Sequence, residues 1–380
     1  MRVIQITTDS REHFKEYSLP YPYFGAAPEA LLEGFQMLTD VEIHVISCIR
    51  QAIKSPNKVG ENIYFHSVFV PKIGWMSSGY YGCSHAIRLL CAKIKPDIVH
   101  GQGSERECAI AAARSGFPNL ITIHGNIEEL NRLKMFGHGL YGPLSSFFET
   151  RAMRSTIGVF CNSLYTQRLV EKRTKKTWLV PNAIRKAFFK PKIKSSSRST
   201  PTIVNIGVVC ARKRQLEILQ AMGEIVRQGR KIHIIFAGNF SENEPYGQAF
   251  AIELRKAEAA GYASFAGHLN ACQLIELLDE VDGFVHFPTE EAFGLVVAEA
   301  LARGLKFFGA NLGGIIDITA DIEGAELHDD IQSLKAGIIT WIDAGALQPE
   351  GVSASIASRY HPKVIAQRHV EIYQEVLGKI

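Results

Sequence analysis

In the segment EEAFGLVVAEALARG, residues 290–304, two carboxylates bracket an apolar, helix-like run: Glu291 stands just before Phe293 and Gly294, and Glu299 stands inside the run. A strand-like GFVHF (283–287) and a short loop precede it, so the segment reads as strand, loop and a helix that begins near Phe293. The unpaired N–H groups and positive dipole end of a helix attract anions, and a glycine there lets a phosphate approach the backbone closely. On one continuous helix the two carboxylates would lie about 12 Å apart along the axis, too far for one small group to touch both. An elongated ligand with hydroxyl-bearing ends around a central diphosphate spans them, because an ionised carboxylate only accepts hydrogen bonds and suits a vicinal diol. A nucleotide sugar has that shape. The competing reading makes Glu291 a dipole partner of the helix start and Glu299 a solvated face residue, and the residue types alone leave both open.

Other chemistries find less support. Gly137, Gly139 and Gly142 spell G-x-G-x-x-G, but the dinucleotide fingerprint needs a strand before it and a helix opening on it. Here NIEELNRLKMF (126–136), which looks helical, precedes it and Pro143 follows, so a pliable loop is expected. No D-x-D follows a strand and no His, Asp or Glu group has ligand spacing, so no metal site is expected. The seven cysteines are scattered singly without C-x-x-C, which points to a reducing compartment and no structural metal.

The elements that must position these residues alternate. VIQIT (3–7), EIHVI (42–46), DIVHG (97–101), LITIH (120–124) and GVFCN (158–162) read as buried strands, with helical patterns over 28–38, 84–95 and 105–115. After a basic, weakly hydrophobic stretch (185–201), expected to be a solvated connection, the pattern restarts with TIVNIG (202–207), KIHIIFAG (231–238), ASFAG (263–267), GFVHF and KFFGA (306–310). With 380 residues and 46% apolar content, the chain is long enough for two cores. The expected organisation is α/β, with two Rossmann-like domains facing across a cleft, one over 1–190 and one over 201–361. An amphipathic helix over 362–380 closes the chain. Ligands of such sheets sit at the C-terminal ends of the strands.

A net charge of +4, with 42 basic against 38 acidic residues, does not indicate a nucleic-acid binder. MRVIQITTD enters a strand-like run with no secretion signal, and nowhere do eighteen consecutive apolar residues occur, so a cytoplasmic location is expected, with any membrane contact peripheral and at the inner face.

The spacing of Glu291 and Glu299, with FGL after the first and EALARG around the second, resembles the donor-site motif of family 4 retaining glycosyltransferases of the GT-B fold. VPNAI (180–184), FAGN (236–239), FAGH (265–268), ANLGGIIDI (310–318), KPDIVHGQG (95–103) and ITIHGN (121–126) resemble further stretches of that family. The resemblance implies that 1–190 is the acceptor-side domain and 201–361 the nucleotide-sugar-binding domain, and that the C-terminal helix packs back toward the N-terminal domain. It implies that Glu291 holds the donor sugar's hydroxyls and Glu299 the ribose diol, while Lys213 and the N–H groups around Phe293, Gly294 and Leu295 neutralise the diphosphate. It places Gly238, Asn239 and His268 at donor-side strand ends, Gly25 in a turn near the diphosphate, and His124 against the donor sugar. The family's arginine after the first strand of the second half is replaced here by Val208, and Arg212 or Arg214 is the candidate substitute, Arg212 preferred.

The implied activity is hexosyl-type transfer from a nucleoside-diphosphate sugar, a UDP-sugar by preference, by a metal-independent front-face route with no cofactor besides the co-substrate. The acceptor is a glycan, a lipid-linked sugar or a small molecule. An epimerase or phosphorylase on a related scaffold is the same-class rival. A catalytically weakened nucleotide-sugar-binding homologue is the rival from another class, motivated by Val208 and by a turn that keeps only Gly25. The aromatic insertion REHFKEYSLPYPYF (11–24) suits either an acceptor wall or plain packing.

Overall fold

The structure is a computed structural model that describes residues 1–133, 135, 139–192 and 200–378. It divides into two compact units, one formed by Met1–Arg185 with Tyr360–Ile380 and the other by Lys186–Arg359.

Unit 1 carries, in chain order, β1 (Arg2–Ile6), α1 (Ser10–Phe14), α2 (Ala26–Gln36), β2 (Glu42–Ile49), β3 (Lys58–Gly60), β4 (Ile63–Phe69), α3 (Tyr81–Ile94), β5 (Ile98–Gln102), α4 (Glu107–Ala113), β6 (Asn119–Ile123), α5 (Ile127–Arg132), α6 (Tyr141–Ser155), β7 (Gly158–Cys161), α7 (Leu164–Val170) and β8 (Thr177–Leu179). The strands lie in the order β3-β4-β2-β1-β5-β6-β7-β8, parallel except for the antiparallel β3 edge. Apolar runs such as RVIQI form the middle of this sheet because helices cover both faces and leave the central strands without water on either side.

Unit 2 carries β9 (Thr202–Ile206), α8 (Gln215–Arg227), β10 (His233–Ala237), α9 (Pro245–Ala259), β11 (Ala263–Gly267), α10 (Ala271–Glu280), β12 (Gly283–His286), α11 (Leu295–Ala302), β13 (Lys306–Ala310), α12 (Gly313–Thr319), β14 (Ala325–His328), α13 (Ile331–Asp343) and α14 (Val352–Tyr360). Its strands, all parallel, lie in the order β11-β10-β9-β12-β13-β14. The order reverses between β9 and β12, as it does between β1 and β5 in unit 1. Such a switch point leaves a crevice beyond the strand C-termini, where doubly wound sheets bind ligands.

The last helix, α15 (Pro362–Val376), belongs to unit 1 and buries Ile365, Ala366, Ile372 and Tyr373 in the core that includes Val3, Phe35 and Phe160. Gly34 of α2 permits the contact: a Cβ there would meet the Pro362 carbonyl oxygen at 2.2 Å.

Several expectations need correction. Gly142 is not in a loop but in the first turn of α6, where Pro143 is tolerated because the amide it lacks has no intrahelical partner there; Gly137 lies outside the described residues. The helix expected over 126–136 is shorter, Ile127–Arg132. The serine-rich middle of the connection, residues 193–199, also lies outside the described residues. Its start is not solvated throughout: Phe188 is buried, and Arg303, paired with Asp279, donates to the Phe188 carbonyl at 3.0 Å. The aromatic insertion folds on itself around the buried Arg11, which pairs with Asp9 and donates to the Leu19 carbonyl at 3.0 Å.

Candidate functional site

In unit 2 the two loops that leave the switch point meet. After β9 the chain runs through an exposed Val208 to a short turn, Ala211–Lys213, and Arg214 takes a left-handed conformation (φ 55°) before α8 begins. After β12, residues 287–293 lead to Gly294 at φ 101°, a conformation favouring glycine, and α11 opens at Leu295 rather than at Phe293. Backbone and side chains join the loops. Thr289 N donates to the Arg212 carbonyl at 2.8 Å, Arg212 Nη1 donates to the Glu290 carbonyl at 2.9 Å and to its Oε2 at 3.3 Å, and Lys213 Nζ donates to Glu291 Oε2.

Glu291 Oε2 also lies 3.0 Å from Nε2 of His286, the last residue of β12. Burial pushes the Glu291 carboxyl up, but the His286 hydrogen bond and the Lys213 charge outweigh it and hold the group well below the usual carboxylate range. Burial, reinforced by the Lys213 charge, keeps His286 below its ordinary value, so the ring is neutral and its Nε2–H donates to the carboxylate.

A second contact fixes the Glu291 loop from behind. Gly314 N donates to the Glu291 carbonyl at 3.0 Å, and Cβ atoms at Gly313 and Gly314 would fall 2.2 Å from that oxygen and 2.5 Å from the Ala292 oxygen, respectively. Only a glycine pair at the start of α12 allows this approach. On the other side of β9, Gly238 at φ 145° packs its backbone against Gly207, whose oxygen a Cβ would meet at 2.1 Å, and the Asn239 carbonyl accepts from Val209 N at 2.9 Å.

The structure therefore brings Arg212, Lys213, Glu291, Phe293, Gly294 and Leu295 together at one switch point. Gly238 and Asn239 sit at the end of the neighbouring β10. Glu299 lies one turn into α11 and is 4% exposed, so it is not a solvated face residue. His268 is exposed and follows β11, the edge strand, two strands away from β9. Arg212, expected to replace an arginine at Val208, is engaged by Glu290. His286 and Glu290 do not stand out in the sequence: His286 sits in a strand that reads as core, and its polarity amid GFVHF is the available signal.

In unit 1 the switch point carries a chain of polar side chains. His124 Nδ1 lies 3.2 Å from Asn182 Oδ1 and its Nε2 lies 3.0 Å from Gln102 Oε1; Gln102 Nε2 donates to Gln5 Oε1 at 2.8 Å, and Gln5 Nε2 donates to the Tyr373 hydroxyl at 2.8 Å. That hydroxyl lies 2.6 Å from His100 Nδ1, and His100 Nε2 lies 2.8 Å from Thr122 Oγ1. Burial pulls His124 down to about 4, and both of its ring nitrogens are engaged. Gly25, exposed at the N-terminus of α2, has extended backbone, and a Cβ there would meet nothing closer than Pro28 Cδ at 3.8 Å, so its glycine is not sterically required. Among the described residues no group of three or more His, Cys, Asp or Glu side chains converges as metal ligands.

Two doubly wound sheets, each with side chains gathered at its switch point, define the GT-B class of glycosyltransferase. Residues 30–188 match the family Glycosyltransferase Family 4, and residues 187–350 match the family Glycosyl transferases group 1. The chain belongs to the family 4 glycosyltransferases of the GT-B fold and is a transferase enzyme. It is 24% identical over 382 residues to the phosphatidylinositol N-acetylglucosaminyltransferase GPI3 subunit of Saccharomyces cerevisiae, covering 94% of this chain and 81% of that one. It is 23% identical over 304 residues to the phosphatidyl-myo-inositol mannosyltransferase of Mycolicibacterium smegmatis, covering 73% and 76%. Anabaena Alr3699/HepE, solved in complex with UDP and glucose, is similar in structure with a TM-score of 0.70 and 14% identity over 99% of this chain and all of that one.

Proposed function

We propose that the protein transfers a hexose-type sugar from a UDP-sugar to a hydroxyl of a phosphatidylinositol-type lipid, with retention and without a bound metal. The observation that carries this reading is the Lys213–Glu291 pair, set beside His286 and the glycine start of α11 at the β9–β12 switch point. Support for the acceptor comes from two relatives whose names specify phosphatidylinositol acceptors, and support for the donor from a similarly folded protein solved with UDP and glucose.

The chemistry follows from charge. Breaking the anomeric C–O bond leaves negative charge on the diphosphate, and groups already fixed where that charge develops lower the barrier. Lys213, Arg212 and the N–H groups around Phe293, Gly294 and Leu295 take that role. The Glu291 carboxylate accepts from hydroxyls of the donor sugar, Glu299 from the ribose diol, and His286 keeps Glu291 ionised and oriented. Gly238, Asn239 and His268 line the donor side farther along the sheet edge. By family resemblance alone, Gly25 and His124 of unit 1, the latter held by Gln102 and Asn182, are further donor-side candidates. As the new C–O bond forms on the face the diphosphate leaves, a phosphate oxygen takes the acceptor's proton, which preserves the anomeric configuration without a protein nucleophile. The enzyme acts inside the cell, peripherally at a membrane; among the described residues no helix is long and apolar enough to cross one.

The test is transfer of radiolabel from a panel of UDP-sugars, with a guanosine-diphosphate sugar as comparison, to phosphatidylinositol in mixed micelles, with and without chelator. The reading expects lipid-extractable label from a UDP donor, insensitive to chelator. Label from no donor, or chelator-abolished transfer restored by magnesium, overturns it. A second reading, a binding homologue with little turnover, draws on Val208, 61% exposed where the family resemblance expects an arginine, and on the engagement of Arg212 by Glu290. It predicts UDP binding with equal, near-zero turnover in wild type and Glu291→Ala.

A further inference from the structure

The stretches KPDIVHGQG (95–103) and ITIHGN (121–126) close β5 and β6 of unit 1 and meet around one carboxylate, Glu105. Gly103 follows β5 at φ 89°, and a Cβ there would fall 2.5 Å from Glu105 Oε2. Gly125 follows β6; its N donates to Glu105 Oε1 at 3.1 Å, and a Cβ there would lie 3.0 Å from that oxygen. The Glu105 side chain is therefore folded back between two glycines, over the strand ends where a doubly wound sheet binds ligands. His124 borders the same place, its Cδ2 lying 3.7 Å from the point a Gly103 Cβ would occupy.

Glu105 differs from the carboxylates around it. Glu107 pairs with Arg106 and Glu149 pairs with Arg173, whereas among the described residues no lysine or arginine forms an ion pair with Glu105. Burial raises its carboxyl, and only the backbone amides of Glu105, Gly125 and Ser104 act against that. The residue is nevertheless partly exposed. A brace for the turn after β6 needs an acceptor oxygen on Gly125 N but no charge, and a glutamine would serve it equally well. A carboxylate accepts hydrogen bonds, and one without a neighbouring cation repels phosphate. Neutral hydroxyl groups are the ligands that suit it.

We infer that Glu105 recognises the acceptor, holding hydroxyls of its ring beside His124. The inference rests on the reading of the protein as a transferase to a hydroxylated lipid headgroup, and it names where unit 1 grips that headgroup. The donor is a poor occupant, because its diphosphate would meet an uncompensated carboxylate, and Glu291 of unit 2 already offers the donor sugar an acceptor of hydrogen bonds. By the same repulsion the acceptor's own phosphate lies away from Glu105, so the part bound there is the neutral polyol ring.

The test compares wild type with E105Q, which keeps an oxygen for Gly125 N and removes the charge. Transfer from a UDP-sugar to phosphatidylinositol in mixed micelles is measured with acceptor and donor varied in turn. Saturation-transfer nuclear magnetic resonance of myo-inositol on the UDP-loaded full chain reads ring binding without turnover. The inference expects E105Q to raise KM for the acceptor at least tenfold, the scale of a lost hydrogen bond to a charged group, with donor KM, UDP affinity and melting temperature unchanged. It also expects the myo-inositol signal to disappear. An unchanged acceptor KM, or a rise in donor KM instead, overturns the inference and leaves the transferase reading intact. A melting temperature well below wild type makes Glu105 a structural brace and overturns it too. Where the wild type transfers to no acceptor, the transferase reading fails and the signal decides: a myo-inositol signal that E105Q abolishes upholds the inference, and one that persists in E105Q, or none in either protein, overturns it.

Discussion

Lys213 and Glu291 pair across the two loops that leave the second sheet's switch point, each side chain 14% exposed. The pair holds a cation and an ionised carboxylate in fixed positions with no net charge between them, and His286 and Gly314 fix the carboxylate's loop from two further sides. A site assembled in this way meets a diphosphate and a polyhydroxylated ring without reorganising its own charges.

Replacing Glu291 with alanine is expected to lower kcat/KM for sugar transfer by well over tenfold, the loss of a transition-state contact of more than about 1.4 kcal/mol. Lys213→Ala is expected to do the same, and the double variant to lose less than the product of the two single losses, because the side chains share one interaction. Steady-state kinetics on the four proteins measures this. Strict multiplicativity would mean that the pair does not act as a unit.

Calorimetric titration with UDP checks the role of Glu299. The Glu299→Ala variant is expected to bind at least tenfold more weakly, in line with about 1.5–3 kcal/mol for a hydrogen bond to a charged group. Unchanged affinity removes the ribose assignment.

Gly314→Ala places a Cβ 2.5 Å from the Ala292 oxygen and 2.6 Å from Phe293 Cα, so the Glu291 loop must shift. The variant is expected to lower the melting temperature of the protein and to cut turnover at least tenfold, since small misplacements of fixed groups are costly. The exposed Gly229, where an added Cβ would meet nothing within 4 Å but φ is 84°, serves as a control whose alanine variant carries backbone strain alone and leaves turnover intact.

The central strands were legible because a parallel sheet covered on both faces demands apolar runs, and VIQIT and GFVHF announce β1 and β12 directly. β4 was not, because IYFHSVF has only two fully buried positions and mixes polar residues among them. β8 and β14, of three and four residues, are too short to show a period. At the site, the paired glutamates and Lys213 could be nominated from residue type and family resemblance. The reason for the glycine pair at 313–314 could not, because it lies in a backbone contact with Glu291 more than twenty positions away in the chain. His286 was hidden for the same kind of reason: within a buried strand, only the turn that returns Glu291 to its ring gives it a partner.

The buried histidines of unit 1 are expected to cost stability on acidification, while burial raises the carboxyls of Glu105, Glu107 and Glu149, which act in the opposite sense. Burial holds His124 and His369 down to about 4 and His100 well below its ordinary value. Below about pH 6.5 the unfolded chain takes up protons that the folded one refuses, so stability present above that pH declines toward about pH 4, by ~3 kcal/mol for His369 alone. Urea unfolding followed by far-ultraviolet circular dichroism between these pH values measures it. His369→Leu is expected to reduce the histidine contribution to that decline, and a pH profile unchanged by the replacement would contradict the burial of a neutral imidazole at 369.

The most direct measurement of the central claim is calorimetric titration of UDP into the wild type and into Lys213→Met, with UDP-sugar donors alongside. The account predicts saturable, one-to-one binding to the wild type and at least a tenfold loss in the variant, because the diphosphate loses its fixed ammonium group. Equal affinity of the two proteins, or no nucleotide binding by the wild type, would contradict the placement of a nucleotide sugar at the β9–β12 switch point.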